Sequence, residues 1–578
     1  INSTSDWVQR IILLPNEAKT QYFQLAFQAK SKWGWGVCID EVVIEEKGIL
    51  PRKVETLSVK QSNGYYPTSS EINPTGFIAA FVSGNDGTIP INSIQLNYTG
   101  TDISDVTNVS LYYTRDSVFS VSTPIQSETT VEGNTITVTA PEFSLQTGDN
   151  IVWICFDISE SATHGNISDY TYSSNSIDLG GTTFPSTAQN PSGKGTIEES
   201  ILFNRMETTE GWTLTNDWEF GVPTGVGSGD PEIPYSGNWV LATNLDGNYP
   251  SNIVPISPHT ATSQSANAKF YQNIKLRYKR WLNIDFFDKT SISVSDDNGD
   301  TWNQVWFNNS SFFDRTWQSV SHNISSYATR KENLKIRFSI DTTNTTLEYG
   351  GWNIDNFAIT GDYIAQDVGI LNMVAPIQEC GLTDTETVKV TVKNFGGETV
   401  NTPFDVGYSL NNGVTWEYQT YSSPITSEQQ VEFTFTVPAN FSNPGLKYLK
   451  FKTILTGDED ATNDVYSKLF YVFPTVSYPY LTSFETSTAH WYPTGTNSTW
   501  QWGNPSGTVI NKASDGTKAW VTSLNSVYKN EEFSFLESPC YNLSAAEYPI
   551  LAFDYMLDVE EGVDGFSVEY STDGGLSW

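Results

Sequence analysis

The chain repeats itself. A series of signposts between residues 206 and 302 returns in the same order between 484 and 578. Met206-Glu207 is answered by Phe484-Glu485, and Trp218-Glu-Phe-Gly221 by Trp500-Gln-Trp-Gly503. Residues 237–249 align without gaps to 516–528, and Leu282-Asn-Ile-Asp285 is answered by Leu551-Ala-Phe-Asp554. An earlier stretch, Gly36-Val-Cys-Ile-Asp-Glu-Val-Val-Ile44, matches Gly351-Trp-Asn-Ile-Asp-Asn-Phe-Ala-Ile359. At 578 residues the chain is too long for one core. Repetition at this scale predicts an array of modules.

The sharpest repeated element is a turn. Ser295-Asp-Asp-Asn-Gly-Asp-Thr-Trp302 returns as Ser571-Thr-Asp-Gly-Gly-Leu-Ser-Trp578, and more loosely as Ser409-Leu-Asn-Asn-Gly-Val-Thr-Trp416. Upstream, Ile292 and Val294 correspond to Val568 and Tyr570, and to Val406 and Tyr408. A period of two running into Asp/Asn and Gly predicts a strand entering a tight hairpin. A short Asp or Asn side chain bonds nearby backbone amides, and Gly supplies positive φ. The structural residues of the two full copies are Ser295, Asp297, Gly299, Thr301 and Trp302, and Ser571, Asp573, Gly575, Ser577 and Trp578. Their roles are conformational, with the indole expected to return to the core.

Aromatic and β-branched residues are abundant, turn residues recur at short intervals, and no window sustains a helical period. The fold class expected is all-β, a tandem array of jelly-roll and Ig-like β-sandwich domains. Residues 1–48 read as the C-terminal part of a jelly-roll and 49–198 as a β-sandwich. A complete jelly-roll follows at 199–362, an Ig-like sandwich at 363–475, and the N-terminal part of a second jelly-roll at 476–578. Asn190-Pro-Ser-Gly-Lys-Gly195 reads as a linker. Both ends fall inside modules, so the sequence reads as a segment of a longer chain.

The formal charge of −35 argues against nucleic acid, whose phosphates require clustered Lys and Arg. It also argues against docking on anionic lipid, and no apolar run is long enough for membrane insertion. Cys38, Cys155, Cys380 and Cys540 form no C-x-x-C pair, so zinc is not expected, and no disulfide framework is apparent. Cys155, within Ile151-Val-Trp-Ile-Cys-Phe156, reads as a small buried residue. The histidines are His164, His259, His322 and His490. None belongs to H-E-x-x-H, and no G-x-S-x-G elbow is present. No catalytic residue is assigned.

The turn resembles the Asp-box of sialidases. The order Met/Phe-Glu, Trp, Asp-box, Trp-x-Ile-Asp-Asn resembles the MAM-like or cleaved-adhesin jelly-rolls of Bacteroidetes surface proteins, modules that also carry Asp-boxes in reelin-type repeats. Val109-Ser-Leu-Tyr-Tyr-Thr114 and residues 145–158 resemble the β-sandwich that precedes the propeller of bacterial exo-sialidases. The resemblance implies calcium joining the first and last strands of each jelly-roll. The matching positions are Glu207 with Asp355, Asp40 in the first copy and Glu485 in the last, with Asp285 and Asp554 as further candidates. The other reading of these acids is that they cap turns.

Arrays of this type occur in SprB-like gliding adhesins exported by the type IX secretion machinery. The reading is therefore a non-catalytic segment of an extracellular, cell-surface adhesin that binds a surface, glycan or protein by summed weak contacts. Two alternatives stand beside it: the accessory region of a secreted hydrolase such as a sialidase or peptidase, and a purely structural spacer.

Overall fold

The computed structural model describes residues 50–578 except 210, 345 and 346, together with 24–27, 39, 42–44 and 48. The expected tail module at 1–48 lies almost wholly outside these residues, Asp40 included. The chain divides into two compact units, meeting at Tyr363 and Ile364. Both are built of β-strands, and the single α-helical turn among the described residues is Ser325–Ala328. The all-β reading holds. Among the described residues, no helix is long and apolar enough to cross a membrane.

The first unit opens with a sandwich. One sheet runs in the order Lys53–Gln61, Asn73–Ser83, Gly148–Ile158, Val106–Thr114, Pro124–Ile125. The facing sheet is built on Pro90–Tyr98 and Thr135–Ser144. Alternate residues Ile91, Leu96, Ile136, Val138, Val152, Ile154 and Phe156 close the core between them. Gly148–Ile158 is buried on both faces. Its second face, with Trp153 and Cys155, joins Phe77, Tyr112 and Tyr235 in a separate apolar cluster.

The predicted linker is not one. Gly195–Glu198 is a strand, pairing in parallel with Gly64–Pro67 and antiparallel with Ile167–Ser168. Only Glu199 separates it from Ser200–Asn204, the first strand of the jelly-roll. Residues 190–194 lead into the middle strand of a three-stranded sheet, Gly195–Glu198 lying between Ile167–Ser168 and Gly64–Pro67.

In the jelly-roll the strand Gly351–Tyr363 is the hub. Ser200–Asn204, Val240–Thr243 and Tyr271–Ile284 all pair with it. The facing sheet runs Thr213–Leu214, His259–Thr262, Lys335–Thr342, Lys289–Ser295, Asn303–Phe307. Trp352, Ile354, Leu276, Leu282, Ile292 and Phe338 meet in the core between the sheets.

The second unit begins with two sheets of three and four strands, Val368–Ala375 with Lys389–Asn394 and Gln430–Thr434, then Glu417–Tyr421 with Phe404–Ser409, Gly445–Ile454 and Val465–Val472. From Thr475 onward it contains only two-stranded ladders. Cys380 and Cys540, 160 residues apart, form a disulfide with a Cα–Cα distance of 6.0 Å. This corrects the reading that the cysteines lack a framework: wide sequence separation says nothing about spatial distance. Cys155 is free and buried.

Candidate functional site

The three hairpin turns share one hydrogen-bond network. In the first, the Gly299 amide donates to Ser295 Oγ at 2.8 Å, and the Thr301 amide and hydroxyl donate to Asp297 at 2.9 and 2.6 Å. Trp302 Nε1 donates to the Gly299 carbonyl at 3.0 Å. The turn at Ser409 reproduces this, with Asn411 in place of the acid and its amide donating to Thr415 Oγ1 at 2.9 Å. At Ser571, the Gly575 and Ser577 amides donate to Ser571 and Asp573 at 2.8 and 2.9 Å. Two consecutive residues take positive φ in each: Asn298 and Gly299, Asn412 and Gly413, Gly574 and Gly575. Bonds from the Thr301 and Ser577 hydroxyls and amides hold the Asp297 and Asp573 carboxyls well below the usual range.

The indole does not enter the core as expected. Trp302 folds over its own loop, half-buried, with the Arg337 guanidinium 4.1 Å from the ring centroid. Trp416 likewise lies under Lys452, at 4.4 Å. The turn is closed by its own tryptophan and a cross-strand cation.

Glu207 and Asp355 come together around the loop 235–239. Glu207 Oε1 accepts the amides of Asn238 and Trp239 at 2.8 and 3.0 Å. Asp355 Oδ2 accepts those of Tyr235 and Ser236 at 2.9 and 3.0 Å, while Oδ1 accepts the Asn356 amide. The loop is thus clamped at both ends by carboxylates. Asp355 is completely buried, and burial, with Glu207's charge added, pushes its carboxyl well above the usual range. Glu485 makes the same clamp in the repeat copy, accepting the Thr517 and Lys518 amides at 2.9 and 2.7 Å. Those amides hold its carboxyl below the usual range. Asp285 Oδ1 caps its own turn through the Phe287 amide at 3.0 Å, and Asp554 accepts from Ser514 Oγ at 2.8 Å. The pair that the sequence singles out, Glu207 and Asp355, thus share one loop. What each carboxylate demonstrably holds is backbone.

Among the described residues, no group of three or more His, Cys, Asp or Glu side chains converges on a metal position. Glu207 and Asp355 still suit calcium in one respect: a buried carboxylate raised by a second one nearby is relieved by a cation between them. Lys279, opposite Asp355 in the strand register, supplies part of that role. Its ammonium lies 4.3 Å above the Tyr235 ring, and burial pushes it down to about 8 while Cys155 and Asp355 oppose the shift.

No sequence pattern announces what joins the sandwich to the jelly-roll. Tyr235, 3% exposed, inserts into the second face of the sandwich, and its hydroxyl donates to the Ile72 carbonyl at 2.6 Å. Glu198, on the sandwich's last strand, accepts from Lys275 at 2.9 Å, Arg277 Nη2 at 2.7 Å and Thr360 at 2.9 Å, all on jelly-roll strands. Burial pushes the Glu198 carboxyl up, but these donors hold it below the usual range. In the second unit the disulfide is joined by a stacked pair, Tyr471 and Tyr492, with centroids 4.2 Å apart.

No family model matches the chain. It is 26% identical over 175 residues to bacillopeptidase F of Bacillus subtilis (strain 168), a match covering 28% of this chain and 11% of that protein. Among solved structures it is similar to the Endo-D glycoside hydrolase domain of Streptococcus pneumoniae R6, at 12% identity and a TM-score of 0.17, covering 45% of this chain and 37% of that one. It is similar too to a Bacteroides uniformis β-glucuronidase, at 14% identity and a TM-score of 0.16, covering 45% and 32%. The chain therefore spans about a tenth of its curated relative and about a third of these solved chains.

Proposed function

We propose that this chain is a non-catalytic, load-bearing segment of an extracellular surface protein, made to present binding modules in fixed orientation. The observation that carries this is the joining of modules in pairs. Tyr235 and Glu198 fix the first sandwich to the jelly-roll, and the Cys380–Cys540 disulfide fixes the Ig-like sandwich to the repeat copy. A disulfide persists in oxidising compartments, which supports an extracellular location. The SprB-like, type IX-exported adhesins remain the family this reading favours. Calcium belongs to the same proposal: Glu207 and Asp355 would hold it, and it would supply charge neutralisation at the clamped loop.

The acids that the sequence singles out accept backbone amides, and no nucleophile is set beside an activating base at these positions, which supports a binding role. The test is adhesion under flow. Beads coated with the whole chain should be retained on glycoprotein-coated glass at least tenfold over albumin-coated beads; equal retention sinks the proposal. A second reading, the accessory region of a secreted hydrolase, is favoured by the likeness to bacillopeptidase F. It gains if the chain increases a peptidase's activity on insoluble protein without affecting bead retention.

A further inference from the structure

The outer face of the jelly-roll holds a cleft of about 360 Å³ that plays no part in the clamps or the turns. Ligand pockets run from roughly 300 to 1,000 Å³, so this one admits a single small ring. Strand alternation supplies its floor. Along Tyr271–Ile284, Leu282 and Ile284 enter the core while Trp281 and Asn283 point the other way. The segment 228–230 lies across them: Trp281 Nε1 and Asn283 Nδ2 both donate to the Gly229 carbonyl, at 2.7 and 2.8 Å. Asn283 is 3% exposed beneath this cover.

Asp230 is held from the hub strand, accepting from Asn353 Nδ2 at 2.9 Å. A side chain at Gly350 would come within 1.9 Å of Asp230 Oδ1, so the carboxylate's place requires glycine there. Phe313, 44% exposed, forms an aromatic wall with Tyr349 at 5.0 Å and 63°. Arg315, exposed at the mouth, has no ion-pair partner among the described residues, whereas Asp314 beside it is taken by Arg280 at 2.9 Å. Burial pushes the Asp230 carboxyl up to about 6.

The repeat copy does not carry these residues. Aligned on Leu282-Asn-Ile-Asp285 and Leu551-Ala-Phe-Asp554, Trp281 becomes Ile550 and Asn283 becomes Ala552. The cleft is a feature of one module.

We propose that this cleft binds one pyranose ring of a surface glycan, its C–H face against Phe313 and Tyr349 and its hydroxyls on Asp230 and Arg315, with Asn283 holding the cleft's cover in place from beneath. An aromatic wall beside convergent polar groups that already have fixed positions is the chemistry such a ring takes. This names the ligand class of the adhesive reading above and rests on it.

The test uses the whole chain, saturation-transfer NMR with the methyl glycosides of galactose, glucose, mannose, N-acetylglucosamine and glucuronic acid, and a printed oligosaccharide array. At least one glycoside should receive saturation, and Phe313→Ala and Arg315→Ala should each weaken its affinity about tenfold or more. Phe307→Ala, an equally exposed aromatic on the facing sheet, should leave it unchanged. No binding in either format overturns the proposal, as does binding that survives Phe313→Ala or falls equally in Phe307→Ala. Beads that adhere while no sugar binds would sink the cleft and spare the adhesive reading; sugar binding without adhesion would do the reverse.

Discussion

The jelly-roll at 199–363 and its copy at 476–578 begin alike and end differently. Trp218–Gly221 pairs with Val240–Thr243 in the register Trp218 to Thr243. Trp500–Gly503 pairs with Ala519–Thr522 in the register Trp500 to Thr522. Glu219 accepts the Leu245 amide at 2.7 Å, and Gln501 the Leu524 amide at 2.9 Å. Glu207 and Glu485 clamp the same loop. In the first, Tyr271–Ile284 lies against the hub strand Gly351–Tyr363. The matching segments end at Trp302 and Trp578, and within the second Leu551, Phe553 and Tyr555 are 69%, 50% and 70% exposed. After Thr475 the buried apolar side chains among the described residues are Pro505, Val521 and Pro539.

The difference separates two kinds of order. Turns, clamps and short ladders are local: each closes a small loop, and the hydrogen bonds of a few neighbouring residues offset its ordering entropy. The turn at Ser571 keeps its network with no paired strand on either side. A sheet face, by contrast, stays wet until a distant strand covers it.

The comparison can be broken in several places. The largest effect belongs to Trp352→Ala. This side chain is fully buried at the centre of the hub strand, and truncating such an aromatic costs about 3–5 kcal/mol. Hydrogen exchange of the whole chain should accelerate throughout 200–363 and stay unchanged in 476–578. Next is calcium: saturation at a hundredfold over Kd stabilises by about 2.7 kcal/mol. EGTA should lower the melting transition of the first unit, and Asp355→Ala should remove that difference. A transition indifferent to both leaves the acids as amide clamps alone.

Gly299→Val puts a β-branched residue at φ +105°, at a cost of about 1–3 kcal/mol. It should loosen both flanking strands, Lys289–Ser295 and Asn303–Phe307. Gly575→Val, at φ +100°, should strain its own loop to the same degree. Smaller still are Glu207→Gln and Glu485→Gln. Each should deprotect only its clamped pair of amides, 238–239 or 517–518, if the clamp is as local as it looks.

The smallest effect is a pH slope. Burial raises Asp230 from 3.8 to about 6 in the folded state. The native chain therefore holds a proton that the unfolded chain has released, and this contribution to stability is lost as pH rises from about 4 to 6. Asp230→Asn should flatten that part of the stability profile in the first unit; an unaltered slope would contradict the burial argument.

The sequence and the structure agree most where the physics is local. Ser295, Asp297, Gly299 and Thr301 were readable as a turn because the pattern and the hydrogen bonds span the same eight residues. Glu207 and Asp355 were readable as neighbours because the repeat marks both ends of the module, but amide donors look the same in every sequence, so their partners were not. Trp302 was misplaced because an indole returning to its own loop and one entering a core share the same spacing. Cys380 with Cys540, Tyr235 in the sandwich, and the cleft around Asp230 each join segments far apart in the chain. No periodicity announces such meetings. The run 190–195 misled through composition alone: its Pro and Ser fall in the irregular residues before Gly195–Glu198, and that strand's partners, 64–67 and 167–168, lie elsewhere in the chain.

The central claim is that the strand Gly351–Tyr363 closes its module by pairing with three others. Amide exchange across the whole chain, resolved by residue, tests it. The account predicts that 240–243, 271–284 and 351–363 exchange together and slowest. The clamped amides of Thr517 and Lys518 should stay protected relative to their neighbours. Exchange of 351–363 as fast as that of exposed loop amides in the same unit would contradict it.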